Sequence, residues 1–254
     1  MKTVSSNSVC KDSTSRLHWW SPFLVFGKIT VAKVDLSANA AREKVAAGWL
    51  EESERSRIKG YLPEPRRHFV LCRAALRAIL CQELGCHNGD LSFGEGEYGK
   101  PFALVAGQAA SVSFSVSHSG RYGLIALARS GRLGVDLEQA VAKRHLNTLI
   151  EAVMGPDERR ELGEMMEEDK LRQFFRLWTC KEALVKAFGT GFSTDVSSFQ
   201  VPESVRQGGA SGVFRFPHLP DLTWRLEAFE AAGFAAALAW ELPPTDSDPT
   251  DSAD

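Results

Sequence analysis

The sequence has no long apolar run and no excess of positive charge. Its 254 residues include 30 lysines and arginines against 32 aspartates and glutamates, a formal net charge of −2. This balance gives no basic field for nucleic acid, so we expect no nucleic-acid partner. No run of about 18 apolar residues occurs, and no apolar segment follows Lys2 and Lys11. We therefore expect no membrane span, no signal peptide and a cytoplasmic location.

The sequence also lacks the cysteine patterns and nucleotide signatures of several large protein classes. Its five cysteines are odd in number and include no CxxC pair. Cys81, Cys86 and His87 cluster at no metal-site spacing, which favours reduced, structural thiols. Neither the GxSxG elbow of serine hydrolases nor the GxxxxGK[ST] loop of P-loop enzymes occurs. These absences argue against both enzyme classes.

The residues present predict an α+β chain of two small lobes. An amphipathic pattern predicts a helix over residues 66–84, after a break at Pro63 and Pro65, and a helical pattern with strands after it recurs near residues 170–188. Residues 122–128 and 133–138 read as a hairpin joined at Arg129–Arg132. The predicted organisation is an extension over 1–25, an N-terminal lobe over 26–133, a C-terminal lobe over 134–242 and a disordered tail over 243–254.

Two carboxylates alternate on the predicted strand Gly-Val-Asp-Leu-Glu. Residues two apart on a strand share a face, so Asp136 and Glu138 point the same way while Val135 and Leu137 face a core. Neighbouring carboxylates repel unless a positive charge lies between them, and oxygen ligands suit magnesium. A solvated strand face is the alternative interpretation.

A third carboxylate interrupts the apolar stripe of the helix that contains Trp-Thr-Cys-Lys-Glu-Ala. Leu171, Phe175, Trp178 and Val185 follow helical spacing, and Glu182 takes the next place in their stripe. A carboxylate there is costly unless it is paired or bound to metal. Lys186 lies one turn on, so a plain salt bridge with Glu182 is the alternative. With Asp136 and Glu138, Glu182 completes a candidate magnesium site.

Two loops and one helix carry groups that suit phosphate. Ser117 and His118 follow an alternating strand, where hydroxyls, an imidazole and loop amides favour an anion. In Tyr-Gly-Lys-Pro, Pro101 stiffens the loop that presents Lys100. The candidate cations on the long helix are Arg66 and Arg73. Taken singly, each cation also fits a solvated surface.

Together these motifs resemble the Sfp-type 4′-phosphopantetheinyl transferase family. The order GKP, SHS, GVDLE and WTCKEALVKAFGTG matches, and the family pattern G-[IV]-D-[IL]-E followed by W-[ST]-x-K-E-[AS]-x-x-K is satisfied over Gly134–Glu138 and Trp178–Lys186. The resemblance covers about residues 45 to 192. It implies that one chain folds as a pseudo-dimer of two similar α/β lobes, with coenzyme A in the cleft between them. The expected oligomeric state is a monomer.

The resemblance also implies a role for each motif residue. Asp136, Glu138 and Glu182 would hold Mg²⁺. Glu182, or a water that it orients, would accept the proton of the attacking hydroxyl, and Lys186 would hold a phosphate and orient the reaction. The residues expected to contact coenzyme A are Arg66, Arg73, Lys100, Pro101, Ser117 and His118. The reaction would move 4′-phosphopantetheine to a serine of an apo acyl or peptidyl carrier protein and release adenosine 3′,5′-bisphosphate.

Two alternatives stay open at this point. A different magnesium-dependent phosphotransferase could use the same three carboxylates without a carrier protein. A non-catalytic protein could bind coenzyme A or a carrier and not turn over. Magnesium-dependent turnover on a carrier protein separates both from the transferase.

Overall fold

Two long helices, each of 22 residues, organise the computed structural model of the chain. The structure describes residues 2–3, 19–142, 144–189, 194–231 and 233–243. The predicted tail over 243–254 lies outside these residues apart from its first position, as does most of the predicted extension over 1–25. No described helix is both long and apolar enough to cross a membrane.

The chain begins with a predominantly β region built around the first long helix. Its elements are β1 (Lys2–Thr3), β2 (Trp20–Phe26), β3 (Ile29–Asp35), α1 (Ala40–Ala47), α2 (Glu52–Arg57), α3 (Pro63–Leu84), β4 (Leu91–Glu95), β5 (Pro101–Val105), β6 (Gln108–Ala109), β7 (Ser113–Ser119) and β8 (Tyr122–Ala128).

The second half of the chain is built around the other long helix. Its elements are β9 (Leu133–Glu138), α4 (Leu146–Val153), α5 (Pro156–Gly163), α6 (Glu167–Phe188), α7 (Glu203–Arg206), β10 (Ser211–Phe216), β11 (Leu219–Ala231) and β12 (Phe234–Glu241). Short 3₁₀ turns lie at Asn88–Asp90 and Val196–Ser198.

The described strands form three antiparallel sheets. The strand orders are β1-β2-β3-β8-β7, β10-β11-β12-β9 and β4-β5-β6. One apolar core lies between α3 and the five-stranded sheet, and another lies between α6 and the four-stranded sheet. A third core joins the two sheets face to face, with Leu124, Val135 and Leu238 among its fully buried residues. The predicted α+β class is confirmed.

The predicted hairpin over residues 122–138 is wrong. β8 pairs with β3 and β7, whereas β9 pairs with β12 in the other sheet. The Arg129–Arg132 link therefore crosses between sheets, because apolar residues of β8 and β9 pack face to face in the shared core. An alternating strand, a turn and another alternating strand look alike in sequence whether the strands pair or stack.

The prolines before the first long helix do not break the chain. α3 begins at Pro63, and Pro65 also lies in its first turn. A first-turn proline costs no hydrogen bond, since those N–H groups have no partner within the helix. The helix ends at Gly85, whose φ of +64° is the left-handed cap that glycine adopts without strain. Before α3, the charged segment over residues 40–59 forms two short helices, and Gly48 caps the end of α1.

Candidate active site

Gly134 sets how closely α6 approaches β9. A Cβ on Gly134 would lie 2.2 Å from the carbonyl oxygen of Ala183 and 2.3 Å from the amide nitrogen of Ala187. The face of β9 that carries Gly134 therefore meets α6. Val135 and Leu137 point the other way, into the core between the sheets. By strand alternation, Asp136 and Glu138 share the face of Gly134 and lie on the α6 side.

Asp136 is the centre of the polar contacts on this face. Its Oδ1 atom accepts from Lys186 Nζ at 2.6 Å and from Ser117 Oγ at 2.7 Å. Lys186 Nζ also donates to Ser117 Oγ at 3.0 Å. The buried Oδ2 atom of Asp136 has no hydrogen-bond partner among the described residues. A buried carboxylate oxygen without a donor is an acceptor that a cation can satisfy.

A cavity of about 700 Å³ opens in front of Asp136. It brings together most of the site residues that the sequence predicts: Ser117, His118, Asp136, Glu138, Glu182 and Lys186. Trp178, Val185 and the segment Thr194, Asp195 and Val196 complete its lining. Lys186 pairs with Asp136 across the cavity, rather than with Glu182 one turn before it on α6.

The surroundings of Glu182 in this cavity disfavour its charged form. Burial raises the pKa of Glu182, and the negative charges of Asp136 and Glu138 raise it further, while Lys186 opposes them. A cation between the carboxylates would relieve both effects. Across the described ranges, however, no three His, Cys, Asp or Glu side chains lie close enough together to hold a metal ion. The carboxylates therefore fit Mg²⁺ by their chemistry, not by a preformed cage.

His118 lines the cavity and packs against a residue outside the predicted site. Its ring packs edge to face on the ring of His68, with 5.3 Å between the centroids. His68 is a buried residue of α3, so α3 supports one wall of the cavity. The basic run Arg66-Arg67-His68 was the only sequence signal for it.

Lys100 is held at the end of α6, outside this cavity. Its Nζ donates to the carbonyl oxygens of Lys186 at 2.7 Å, Leu133 at 3.0 Å and Ala187 at 3.3 Å. With Pro101 it lines a small adjoining cavity of about 190 Å³, to which Lys186 also contributes. Burial lowers the pKa of Lys100 to about 8, and the positive charge of Arg132 adds to this.

The two candidate arginines of α3 also lie away from the lining of the main cavity. Arg66 is exposed in the first turn of the helix. Arg73 Nε lies 3.4 Å from Glu54 Oε1, and its guanidinium stacks 4.3 Å from the ring centroid of Phe93. Arg73 therefore makes its ion pair and its ring contact within the N-terminal half, while its buried Nη1 atom has no hydrogen-bond partner among the described residues. The predicted roles of Arg66, Arg73, Lys100 and Pro101 stay predictions.

A slightly larger cavity, of about 800 Å³, lies beside the Arg129–Arg132 link. The two carboxylates in its lining are neutralised, because Glu83 pairs with Arg129 and Glu241 pairs with Arg132. Neither of these carboxylates has a buried oxygen without a hydrogen-bond partner among the described residues. The candidate active site is therefore the cavity in front of Asp136, where a buried carboxylate oxygen lacks a partner among the described residues.

Fold and cavity together define a two-lobed α+β protein with a carboxylate–lysine site between its halves. Two family models match consecutive parts of the chain: "4'-phosphopantetheinyl transferase, N-terminal" matches residues 38–130, and "4'-phosphopantetheinyl transferase superfamily" matches residues 132–239. The matched segments meet at the link that crosses between the sheets.

Individual relatives agree with the family models. The 4′-phosphopantetheinyl transferase HetI of Nostoc sp. is 31% identical over 182 residues, which are 69% of this chain and 77% of HetI. The protein slr0495 of Synechocystis sp. is 34% identical over 184 residues, 70% of this chain and 71% of slr0495. The 4′-phosphopantetheinyl transferase Sfp of Bacillus subtilis is 28% identical over 160 residues, 59% of this chain and 64% of Sfp. The chain belongs to the 4′-phosphopantetheinyl transferase family, which confirms the predicted family and enzyme class.

Proposed function

We propose that this enzyme transfers the 4′-phosphopantetheine group of coenzyme A to a serine of an apo acyl or peptidyl carrier protein in the cavity in front of Asp136. The observation that carries the site assignment is the convergence of Asp136, Glu138, Glu182 and Lys186 in one cavity. These residues come from two motifs far apart in sequence, and the fold joins them. The monomeric state and the cytoplasmic location of the enzyme stay predictions.

The donor set of the cavity supports a magnesium ion as cofactor. Asp136, Glu138 and Glu182 would hold it, and the unpartnered Oδ2 atom of Asp136 supports this assignment. When bound, Mg²⁺ supplies positive charge that offsets the charge of the pyrophosphate.

The residues of the chain account for binding and proton transfer. The carrier serine Oγ forms a bond to the β-phosphorus of coenzyme A, and the bond from that phosphorus to the oxygen bridging to the α-phosphate breaks. The electron pair leaves with adenosine 3′,5′-bisphosphate. Glu182, directly or through a water, accepts the serine proton. The Lys186 ammonium holds a phosphate oxygen and orients the group.

The shape of the site suits a long, anionic ligand. Ser117 and His118 line the main cavity, and Lys186 lines both this cavity and the adjoining one that Lys100 and Pro101 border. A ligand that passes Lys186 would meet both sets of groups. We assign these four residues as contacts of coenzyme A, and we place Arg66 and Arg73 at its far end by family resemblance alone.

Replacement of Glu182 by glutamine tests the assignment of the site. Glu182→Gln keeps the size of the side chain and removes a charge and a base, so the transfer rate should fall about 100-fold or more. The matched control is Glu168→Gln, an exposed position in the first turn of the same helix. Both variants should keep the wild-type unfolding temperature to within a few degrees. Wild-type rates in Glu182→Gln would contradict the assignment.

A further inference from the structure

Alternate serines of β7 face the carboxylate strand from the other sheet. Ser115, Ser117 and Ser119, hereafter the serine row, share one face of β7 by strand alternation. Ser115 and Ser117 are 8% and 7% exposed, which is unusual for serine. β7 and β9 are edge strands of different sheets and are not paired with each other. Side chains therefore make the polar contacts between them.

Each serine of the row contacts a different part of β9. Ser115 Oγ accepts from the amide of Val135 at 3.1 Å. Ser119 Oγ lies 2.9 Å from Glu138 Oε2 and accepts from the amide of Gln139 at 3.0 Å. Because a carboxylate only accepts, the Ser119 hydroxyl proton must be directed at Glu138. The row thus holds the backbone within β9 at Val135 and just after β9 at Gln139, and it holds a carboxylate oxygen of Glu138.

The contact of Ser119 fixes the orientation of the Glu138 side chain. A hydroxyl that accepts from a backbone amide has its own proton directed away from that amide, here to Oε2. Groups that hydrogen-bond metal-binding carboxylates in this way set ligand orientation, and their loss typically lowers metal affinity about 10- to 100-fold. Ser115 acts one step further back, since it satisfies the amide of the fully buried Val135 beside Asp136.

We propose that Ser115 and Ser119 are positioning residues through which the N-terminal lobe orients the metal-binding carboxylates of the C-terminal lobe. The inference rests on the proposed function, because that assigns Asp136 and Glu138 as ligands of Mg²⁺. It extends the assignment from the residues that contact the ion to the strand that aligns them. Neither serine lines the main cavity, although Ser115 borders the adjoining one.

Ser113 provides the matched control. It lies on the same face of β7, one alternation before Ser115, and among the described residues its hydroxyl makes no hydrogen bond to β9. Ser113→Ala therefore removes the same atom from the same strand without touching the contacts of the row. Ser119→Thr keeps a hydroxyl at the critical position in a residue that suits a strand.

The first measurement is the magnesium dependence of transfer to an apo acyl carrier protein. Ser119→Ala should raise the apparent KM for Mg²⁺ about tenfold or more, with kcat at saturating Mg²⁺ close to wild type. Ser119→Thr should restore the wild-type KM, and Ser113→Ala should not change it. An unchanged KM for Mg²⁺ in Ser119→Ala would overturn the proposal, as would an equal loss in Ser113→Ala.

The second measurement does not depend on catalysis. Hydrogen exchange should show faster exchange of the Val135 amide in Ser115→Ala and of the Gln139 amide in Ser119→Ala, by about tenfold, relative to Ser113→Ala. Unchanged exchange at both amides would overturn the row as a positioning device. Absence of transfer by the wild-type enzyme would count against the proposed function alone. The exchange rates would still test whether the serine row positions β9.

Discussion

At the scale of single residues, Asp136 divides its two oxygens between different partners. Oδ1 is held by Lys186 and Ser117, and Oδ2 is buried without a donor in the described part of the chain. The lysine therefore fixes the carboxylate and partly balances its charge, while the second oxygen faces no competing hydrogen bond. This asymmetry lets one side chain anchor α6 to β9 and still keep an oxygen for the proposed metal ion.

Lys100 gives the enzyme a pH-dependent term in its stability. Its folded pKa of about 8 lies below the ordinary value of 10.5. Between these values the unfolded chain holds a proton that the folded chain has lost, so stability rises with pH. The contribution is complete above pH 10.5 and is lost as the pH falls through about 8.

The Lys100→Met variant measures this term. Urea unfolding is measured from pH 7 to 10.5. Over this range the free energy of unfolding of the wild type should rise relative to that of Lys100→Met. Lys59→Met, at an exposed lysine of the same lobe, should parallel the wild type throughout. Parallel curves for wild type and Lys100→Met would mean that Lys100 keeps an ordinary pKa in the folded chain.

The local part of the site could be predicted from sequence because it depends on local periodicity. Strand alternation places Asp136 and Glu138 on one face, and helical spacing marks Glu182 as a break in an apolar stripe. The partner of Lys186 could not be predicted in this way. Its pairing with Asp136 depends on how closely α6 approaches β9, which is a tertiary distance. The position of His68 under His118 depends likewise on the packing of α3.

At the scale of elements, the contact between β9 and α6 depends on a missing side chain. Gly134→Ala would place a methyl group 2.2 Å from the backbone of Ala183, and backbone atoms cannot move aside without shifting the helix. We expect a loss of about 1–3 kcal/mol in the free energy of unfolding. A loss of transfer activity should accompany it, because the shift moves Glu182 and Lys186 relative to Asp136.

Gly163→Ala is the control for this prediction. Gly163 ends α5, and a Cβ there meets nothing within 4 Å. Alanine at such a helical site should leave stability unchanged or raise it by about 0.4–1 kcal/mol. Comparison of urea unfolding and transfer rate in the two variants checks both. A fully active, fully stable Gly134→Ala would show that α6 is not held this closely.

A buried ion pair fixes α6 to the wall of the cavity. Lys181 Nζ lies 2.7 Å from Glu158 Oε2 and donates to the carbonyl oxygens of Val196 and Phe199. Both side chains of the pair are fully buried. Val196 belongs to the cavity lining, so the lysine next to Glu182 holds that wall in place.

The two charges of this pair should be strongly coupled in stability. Lys181→Met alone leaves the Glu158 carboxylate buried without its cation and should cost about 3–5 kcal/mol. Lys181→Met combined with Glu158→Leu removes both charges and should recover part of that loss, because the amides of Gly155 and Val201 then lack their acceptor. A double-mutant cycle by urea unfolding measures the coupling, and strictly additive losses would contradict it.

The sequence predicted the positions of helices and strands better than it predicted which strands pair. α3, α6 and β9 lie where the periodicity placed them, because each pattern is local. The hairpin prediction failed because no local feature distinguishes β8 paired with β9 from β8 stacked on β9. Pro63 and Pro65 predict a break in the chain, but the first turn of a helix tolerates proline.

At the scale of the whole molecule, the candidate active site is lined by residues from both halves of the chain. Asp136, Glu138, Glu182 and Lys186 come from the C-terminal half, and Ser117 and His118 come from the N-terminal half. The core between the two sheets holds these halves together. Family resemblance supplied the two-lobed arrangement in advance, but the stacking of β8 on β9 that creates the junction required the structure.

The measurement that tests the central claim most directly is the intact mass of an apo acyl carrier protein. The carrier is incubated with this enzyme, coenzyme A and Mg²⁺, and a parallel sample contains EDTA. Peptidyl carrier proteins are run in the same way. We predict a gain of one phosphopantetheine group that depends on Mg²⁺. No gain on any carrier, or a gain that EDTA does not reduce, would contradict the account.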